Sequence, residues 1–316
     1  MFATLLGPLP RPTLPDEATP DELLIAVVRA QEAAGLEPIT DGGFGVGETL
    51  VDRWRATAAL TERPVKATAL GPYSAARTTS ASGDLDHAAM STAAISAAAM
   101  STAAMSAADR IRMDLLALAA AGCPFIEIHE PAAAEIGTDS RERERFRGAH
   151  QRMLAGVSGT HLSLAVTGGN ADAAGVEILL AAPYASLAVD LIDGPDNWRL
   201  VAGAPGDRGI ICGALSVERD ADDRLEVLLW AAAYAASTGG RGPARVGLAT
   251  ASSLAGLPWE VAERKLSILG EAVRLAELPP DERHRLFDPR AVDIRSAALG
   301  RVEPRPRPTR SRRPER

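Results

Sequence analysis

Short apolar runs recur along the chain, and a polar turn and a stretch of helically spaced apolar residues follow each run. This alternation is typical of strand–helix units and predicts an α/β fold with parallel strands. Eight strands can be placed in this way. They cover residues 3–7, 36–40, 65–70, 125–130, 161–166, 186–192, 209–215 and 244–250.

The segments between the predicted strands carry helix signals. The first helix is expected to begin at Pro20 and Asp21 and to end at Gly35, because proline favours the first turn of a helix and glycine its end. Residues 259–277 place their apolar side chains on one stripe, which predicts a closing helix. Eight strands that alternate with helices fit either a (β/α)₈ TIM barrel or an open doubly wound sheet. No phosphate-binding glycine signature follows the first strand, so we predict the barrel.

One segment interrupts this rhythm between the third predicted strand and its helix. Residues 88–107 repeat a five-residue unit rich in Ala, Met and Ser. The insertion either lengthens a helix or loop, or forms a mobile lid over the face where barrel enzymes keep their active sites. The predicted organisation is a barrel over residues 1–298 and a disordered Arg/Pro-rich tail over residues 299–316.

Composition and charge narrow the function classes. The 316 residues are 46% hydrophobic, which allows one large core. The net charge of the chain is −7. The last sixteen residues hold seven Arg and two Glu and so carry +5, which leaves about −12 on the rest of the chain. An acidic body argues against a nucleic-acid partner.

The lack of a recognisable targeting signal and the use of cysteine predict a cytoplasmic protein. No run of about 18 apolar residues is free of charges and breakers, and no basic segment precedes an apolar one near the N-terminus, so no membrane partner is expected. The two cysteines, Cys123 and Cys212, lie in apolar segments, which suits buried thiols better than a disulfide or a metal cluster.

Polar residues that follow barrel strands converge on one mouth. The candidate catalytic residues there are Asp41, His129, Glu130 and Asp190. Two carboxylates beside an imidazole would form an acid/base group, with His129 as the general base and Asp41 or Asp190 orienting the substrate. The alternative is that His129 is a buried histidine paired with a neighbouring carboxylate, and that Glu130 has a structural role at the strand end.

Five further residues are candidates for substrate binding. Tyr73 and Trp259 could stack on a flat ligand such as a pterin, although single aromatic residues also serve packing. Asn170 follows two glycines and could contact a ligand or form a turn. Arg11 and Ser252 complete the set. The remaining histidines lie outside the strand ends and are expected to be solvated: His87, His150, His161 and His284.

Six segments carry a family resemblance in their order along the chain. They are GPLPR (7–11), TDGG (40–43), LGP (70–72), LLALAAAGCPFIEIHEP (115–131), TGGN (167–170) and SSLAGLPWEVAERKL (252–266). The ordered set resembles the C-terminal catalytic domain of cobalamin-independent methionine synthase, over residues 3 to about 275. That family shares a barrel superfamily with uroporphyrinogen decarboxylase.

The resemblance implies a changed metal site. The family holds zinc through a His, two Cys and a Glu, and the zinc converts a substrate thiol into a thiolate. The corresponding positions fall at Ala165, at Thr167, near Asp190 and near Ser252. Alanine offers no ligand, and hydroxyls are poor substitutes for thiolates, so a zinc site of the family type is not expected.

The family's amino-acid-binding acids are also replaced, by Gly43 and His129, so homocysteine is not the expected substrate. The function predicted first is methyl or other one-carbon transfer to a different small molecule, with a reduced folate as a possible methyl donor and no other cofactor. The alternatives are a cofactor-independent lyase or decarboxylase of the same superfamily, and a non-catalytic ligand-binding protein.

Overall fold

The computed structural model describes residues 1–81, 92–218, 221, 223–279 and 282. Seven parallel strands form one curled sheet close to a TIM barrel, in the order β1-β7-β6-β5-β4-β3-β2. The strands are β1 (Phe2–Thr4), β2 (Lys66–Leu70), β3 (Phe125–His129), β4 (His161–Val166), β5 (Ser186–Asp190), β6 (Gly209–Leu215) and β7 (Val246–Thr250). The predicted α/β class is therefore confirmed.

Helices follow the strands along the chain. They are α1 (Pro20–Ala34), α2 (Leu50–Ala58), α3 (Pro72–Ala81), α4 (Thr92–Ala120), α5 (Ser140–Leu154), α6 (Val176–Leu179), α7 (Trp198–Gly203), α8 (Leu225–Ser237) and α9 (Trp259–Ala276). Helix α1 begins and ends as predicted, with a capping box between Thr19 and Glu22 and a left-handed Gly35 at its end. None of the described helices is long and apolar enough to cross a membrane.

The second predicted strand, residues 36–40, is not a regular strand. It makes a single parallel bridge, between Ile39 and Val65, so the described sheet has seven strands where eight were predicted. Pro38 has no N–H group for a ladder hydrogen bond. The segment instead lies between β1 and β2 through individual bonds: Glu37 N donates to Ala3 O (2.7 Å) and Lys66 N to Ile39 O (2.9 Å).

The Ala/Met/Ser-rich segment is described in part. Residues 92–107 form the first half of α4, where Met100 and Met105 pack against the core. Residues 88–91, His87, His284 and the tail over residues 299–316 lie outside the described residues. A role as a lid stays a prediction.

Alternate residues of the strands face opposite sides of the curled sheet. The outer side of the sheet and the helices pack against each other and form a large apolar core. A smaller apolar cluster, made of strand residues and one residue that follows β1, lies apart from it, and the alternation assigns it to the inner side. Its buried members are Leu6, Ala165, Ala188, Ile211 and Ala249. Charged side chains break this apolar surface near β2 and β3, where the candidate site lies, and at Asp190 at the end of β5.

Helix α9 packs against α1 with no room for a side chain at Gly270. A Cβ atom there would overlap the carbonyl oxygen of Ala34, a backbone atom that cannot move aside freely. We expect Gly270→Ala to lower the free energy of unfolding by about 1–3 kcal/mol through overpacking. Gly148→Ala in α5 is the matched control, since its Cβ would meet only Met105 Cε at 3.5 Å.

The control should raise stability by about 0.4–1 kcal/mol, because alanine reduces the conformational freedom of the unfolded chain. Urea unfolding followed by tryptophan fluorescence measures both variants. Equal effects of the same sign would contradict the described contact between α1 and α9.

Candidate functional site

A cavity of about 250 Å³ opens at the carboxyl ends of β2 and β3. Asp41 and Arg53 contribute its charged side chains, Thr68 and His129 are among its polar ones, and Leu70 forms an apolar edge. The sequence placed Asp41 and His129 at this mouth, and the structure brings both to the same cavity. Arg53 on α2 and Thr68 on β2 were not predicted.

His129 is held by a carboxylate on its own strand. Its Nε2 lies 2.9 Å from Oε1 of Glu127, two residues earlier, so both side chains are on the same face of β3. Lys66 Nζ also reaches Glu127 Oε1, at 2.7 Å, and donates to the carbonyl oxygen of Leu5 at 2.7 Å. The Lys66 and Glu127 side chains are fully buried, whereas that of His129 is 16% exposed.

The charges of this group are settled by their mutual contacts. Burial by itself would raise the pKa of the Glu127 carboxyl, but the charge of Lys66 and the hydrogen bond with His129 outweigh burial and lower that pKa to about 2. Burial lowers the pKa of the Lys66 ammonium, and the charge of Glu127 opposes this effect. Glu127 is therefore a carboxylate at neutral pH, and His129 Nε2 donates to it. The other ring nitrogen, Nδ1, is then the proton acceptor.

Asp41 lies in the turn that follows residues 36–40. Its Oδ1 accepts a hydrogen bond from Gly43 N at 2.9 Å, and its backbone carbonyl accepts one from Phe44 N. These bonds hold the carboxylate at the cavity wall and leave part of it accessible. Asp41 is thus positioned to contact a bound molecule.

Glu130 is fully buried, and its carboxylate is occupied. Oε1 accepts from Tyr73 N (3.0 Å) and lies 2.9 Å from His150 Nε2, while Oε2 accepts from Ser74 N (2.8 Å) and Ser74 Oγ (2.5 Å). Gly71 gives this carboxylate its space, because a Cβ atom there would overlap it. Glu130 caps the first turn of α3, so the structure favours its structural alternative.

Asp190 is also buried, and backbone groups take up its carboxylate. It accepts from Gly168 N (3.1 Å), Ile192 N (2.9 Å) and Asp193 N (2.9 Å). Burial raises the pKa of Asp190 despite these three hydrogen bonds. Its side chain stabilises the loops after β4 and β5 and does not line the cavity.

The predicted substrate-binding residues do not line this cavity either. Tyr73 is fully buried, and its hydroxyl donates to Glu142 Oε2 at 2.7 Å, so its ring packs in the core. Arg11 is exposed and donates to the backbone carbonyls of Pro15 and Asp16, both at 3.2 Å. Asn170 is exposed and exchanges hydrogen bonds with Asp196.

Ser252 lies between β7 and α9, Trp259 is the first residue of α9, and both are partly exposed. Trp259 packs against the large apolar core. Neither residue is among those that line the cavity.

Two histidines expected to be solvated are not. His150 is 1% exposed, stacks on Phe146 and lies 2.5 Å from the hydroxyl of Tyr184 through Nδ1. His161, at the amino end of β4, stacks on Phe125 and lies 2.8 Å from Ser186 Oγ. The prediction was wrong for both because each imidazole lies on a packed face of its element.

No protein-family model and no curated protein sequence matches the chain. Solved structures do match. A B12-independent methionine synthase from Shewanella sp. W3-18-1, solved with selenomethionine, is 16% identical with a TM-score of 0.68, and the match covers 86% of this chain and 97% of that one. A methyltransferase from Methanosarcina mazei is 14% identical with a TM-score of 0.58, covering 85% and 94%. The chain therefore has the fold of these barrels.

The donor set at the implied zinc positions does not fit a tetrahedral zinc ion. Ala165 is fully buried in the small apolar cluster and offers no donor atom. The carboxylate of Asp190 is committed to three backbone N–H groups. Among the residues that the structure describes, no three His, Cys, Asp or Glu side chains are grouped to hold a metal ion.

Proposed function

We propose that this chain is a methyl- or other one-carbon-transferring barrel enzyme, related to methionine synthase in architecture, that works without the zinc–thiolate site. The observation that carries the proposal is His129: a part-exposed imidazole at the cavity, anchored through Nε2 by the buried carboxylate of Glu127. A carboxylate that fixes one nitrogen of an imidazole leaves the other as a general base.

The proposed step uses this base in place of a metal. The acceptor loses its proton to Nδ1 of His129, and the electron pair that is freed forms the bond to the methyl carbon. The bond between the methyl group and the donor nitrogen breaks, and its electron pair stays on that nitrogen, which takes up a proton from solvent. Asp41 and Arg53 contact polar groups of the acceptor from the cavity wall.

The size of the cavity bears on which reactant it holds. Sites for drug-sized ligands usually enclose about 300–1,000 Å³. At about 250 Å³, this cavity suits the acceptor or the reacting end of a reduced folate better than a whole folate. The lyase or decarboxylase alternative has no separate observation in its favour.

The test is a labelled transfer assay with the full chain. A reduced folate that carries a ¹³C-methyl group is incubated with the chelator-treated protein and with a thiol, an amine or a hydroxy acid, and ¹³C NMR follows the label. We expect a new methyl resonance with one acceptor class while the chelator is present. Saturating folate should also raise the melting temperature, since a ligand at 100 times its Kd stabilises by about 2.7 kcal/mol.

If no folate gave either label transfer or a thermal shift, folate-dependent methyl transfer would be overturned. Transfer that disappears with the chelator and returns with zinc would overturn the zinc-free part of the proposal.

A further inference from the structure

Lys66 and Glu127 form an ion pair with no exposed side-chain surface. Lys66 begins β2 and Glu127 lies in the middle of the neighbouring β3, 61 residues later. Burying two charges costs several kcal/mol each before their attraction is counted, so such a pair is weak evidence for stability alone. The contact between Glu127 and His129 points to a role for this ion pair in the candidate site.

One oxygen of Glu127 connects the other two side chains. Oε1 lies 2.7 Å from Lys66 Nζ and 2.9 Å from His129 Nε2, whereas Oε2 is buried and has no hydrogen-bond partner. Lys66 is itself held by Leu5 O, so it cannot move away from the carboxylate without losing that bond. The lysine therefore acts on His129 only through the shared oxygen.

We propose that Lys66 is a positioning residue: by neutralising Glu127, it lets this carboxylate hold the Nε2–H form of His129 without drawing a second proton onto the ring. The inference rests on the proposed function, in which His129 is the base. A base that already carries two protons cannot accept a third.

The other charged groups near this pair come from several elements. Asp41 and Arg53 face the same cavity as His129, from the turn before α2 and from α2 itself. His161, at the amino end of β4, interacts electrostatically with Glu127. Burial lowers the pKa of His161, and the charge of the carboxylate opposes that effect. Lys66 is the one buried cation among these, and it is in direct contact with the carboxylate.

Removal of the lysine charge has a defined consequence. In Lys66→Met the Glu127 carboxylate has no buried cation beside it, and the protonation of His129 supplies one. The proton goes to the imidazole because an imidazole is more basic than a carboxyl by about two pH units. The titration midpoint of His129 should therefore rise by about one pH unit or more.

Two-bond ¹H–¹⁵N NMR spectra of the full chain, labelled in histidine, measure this directly. They distinguish neutral from doubly protonated rings, and His129→Asn identifies the His129 signals among the five histidines. In the unaltered chain we expect the ring, when it is neutral, to carry its proton on Nε2. In Lys66→Met we expect the doubly protonated ring to persist to a higher pH than in the unaltered chain. An unchanged or lower midpoint would overturn the proposal.

Lys66→Met leaves a buried charge and could fail to fold, so Lys66→Met/Glu127→Gln is the second variant. It removes both charges, so the His129 midpoint should not rise above that of the unaltered chain, because no unpaired carboxylate remains in contact with the ring. A midpoint above that of the unaltered chain would also overturn the proposal. Both readouts are independent of turnover, so failure of the transfer assay would leave them interpretable.

Discussion

His129→Asn is expected to slow methyl transfer by about 10²- to 10⁴-fold, the usual contribution of a general base. Asparagine keeps a polar side chain that can still donate to Glu127, so the local hydrogen bonds remain while the proton acceptor is lost. The rate of label transfer at saturating donor and acceptor measures the effect. Because the substitution leaves the cavity wall otherwise intact, acceptor affinity should change much less than the rate.

His161→Asn is the matched control for this experiment. His161 is another part-buried histidine on a neighbouring strand, but it lies at the amino end of β4, away from the cavity. We expect its transfer rate to stay within about threefold of the unaltered chain, because no proton transfer is assigned to it. If both substitutions slowed transfer equally, His129 would have no special part in the chemistry.

Glu130→Gln is expected to lower the free energy of unfolding by about 2–4 kcal/mol, since each buried donor left without an acceptor costs about 1–3 kcal/mol. Each oxygen of Glu130 accepts a backbone N–H, from Tyr73 or from Ser74. A glutamine must point its NH₂ group at one of them, whichever way the amide is turned. Urea unfolding measures the loss.

Glu135→Gln provides the comparison for Glu130. Its side chain is 59% exposed and pairs with Arg77 at the surface, so its loss should cost less than about 1 kcal/mol. A loss as small for Glu130 as for Glu135 would show that the buried carboxylate does not cap α3 as described.

The sequence predicted the strands well where both faces are buried. The predicted and observed limits agree for β4 and β6. The uninterrupted apolar run of β6 is typical of parallel strands covered on both sides. Residues 36–40 were misjudged because the apolar pattern outweighed Pro38, whose missing N–H limits ladder pairing.

The site was predicted in part, because the chemistry depends on register between distant strands. His129 and Asp41 follow their strands directly, which is the signal that sequence reasoning used. Lys66 and Glu127 lie inside apolar runs, and only the pairing of β2 with β3 brings them together. A charged residue at an inward position of a barrel strand was the signal available for each of them.

The buried His150 had a local signal as well. Phe146, Ala149, His150 and Met153 share the i, i+3, i+4, i+7 spacing of a packed helix face, and all four are buried. The expectation of solvation followed from its position outside the strand ends and ignored its place on the helix.

The pairing of β1 with the last strand affects how the chain folds during its synthesis. β1 has a regular ladder only with β7, where Phe2 pairs with Gly247, some 245 residues later. At about 5–20 residues per second, a ribosome needs roughly 12–50 s to make that stretch. Until then, Leu5, Leu6 and Leu9, all buried in the finished fold, have only local partners. This strand therefore stays without its partner in the sheet until the last strand has been made.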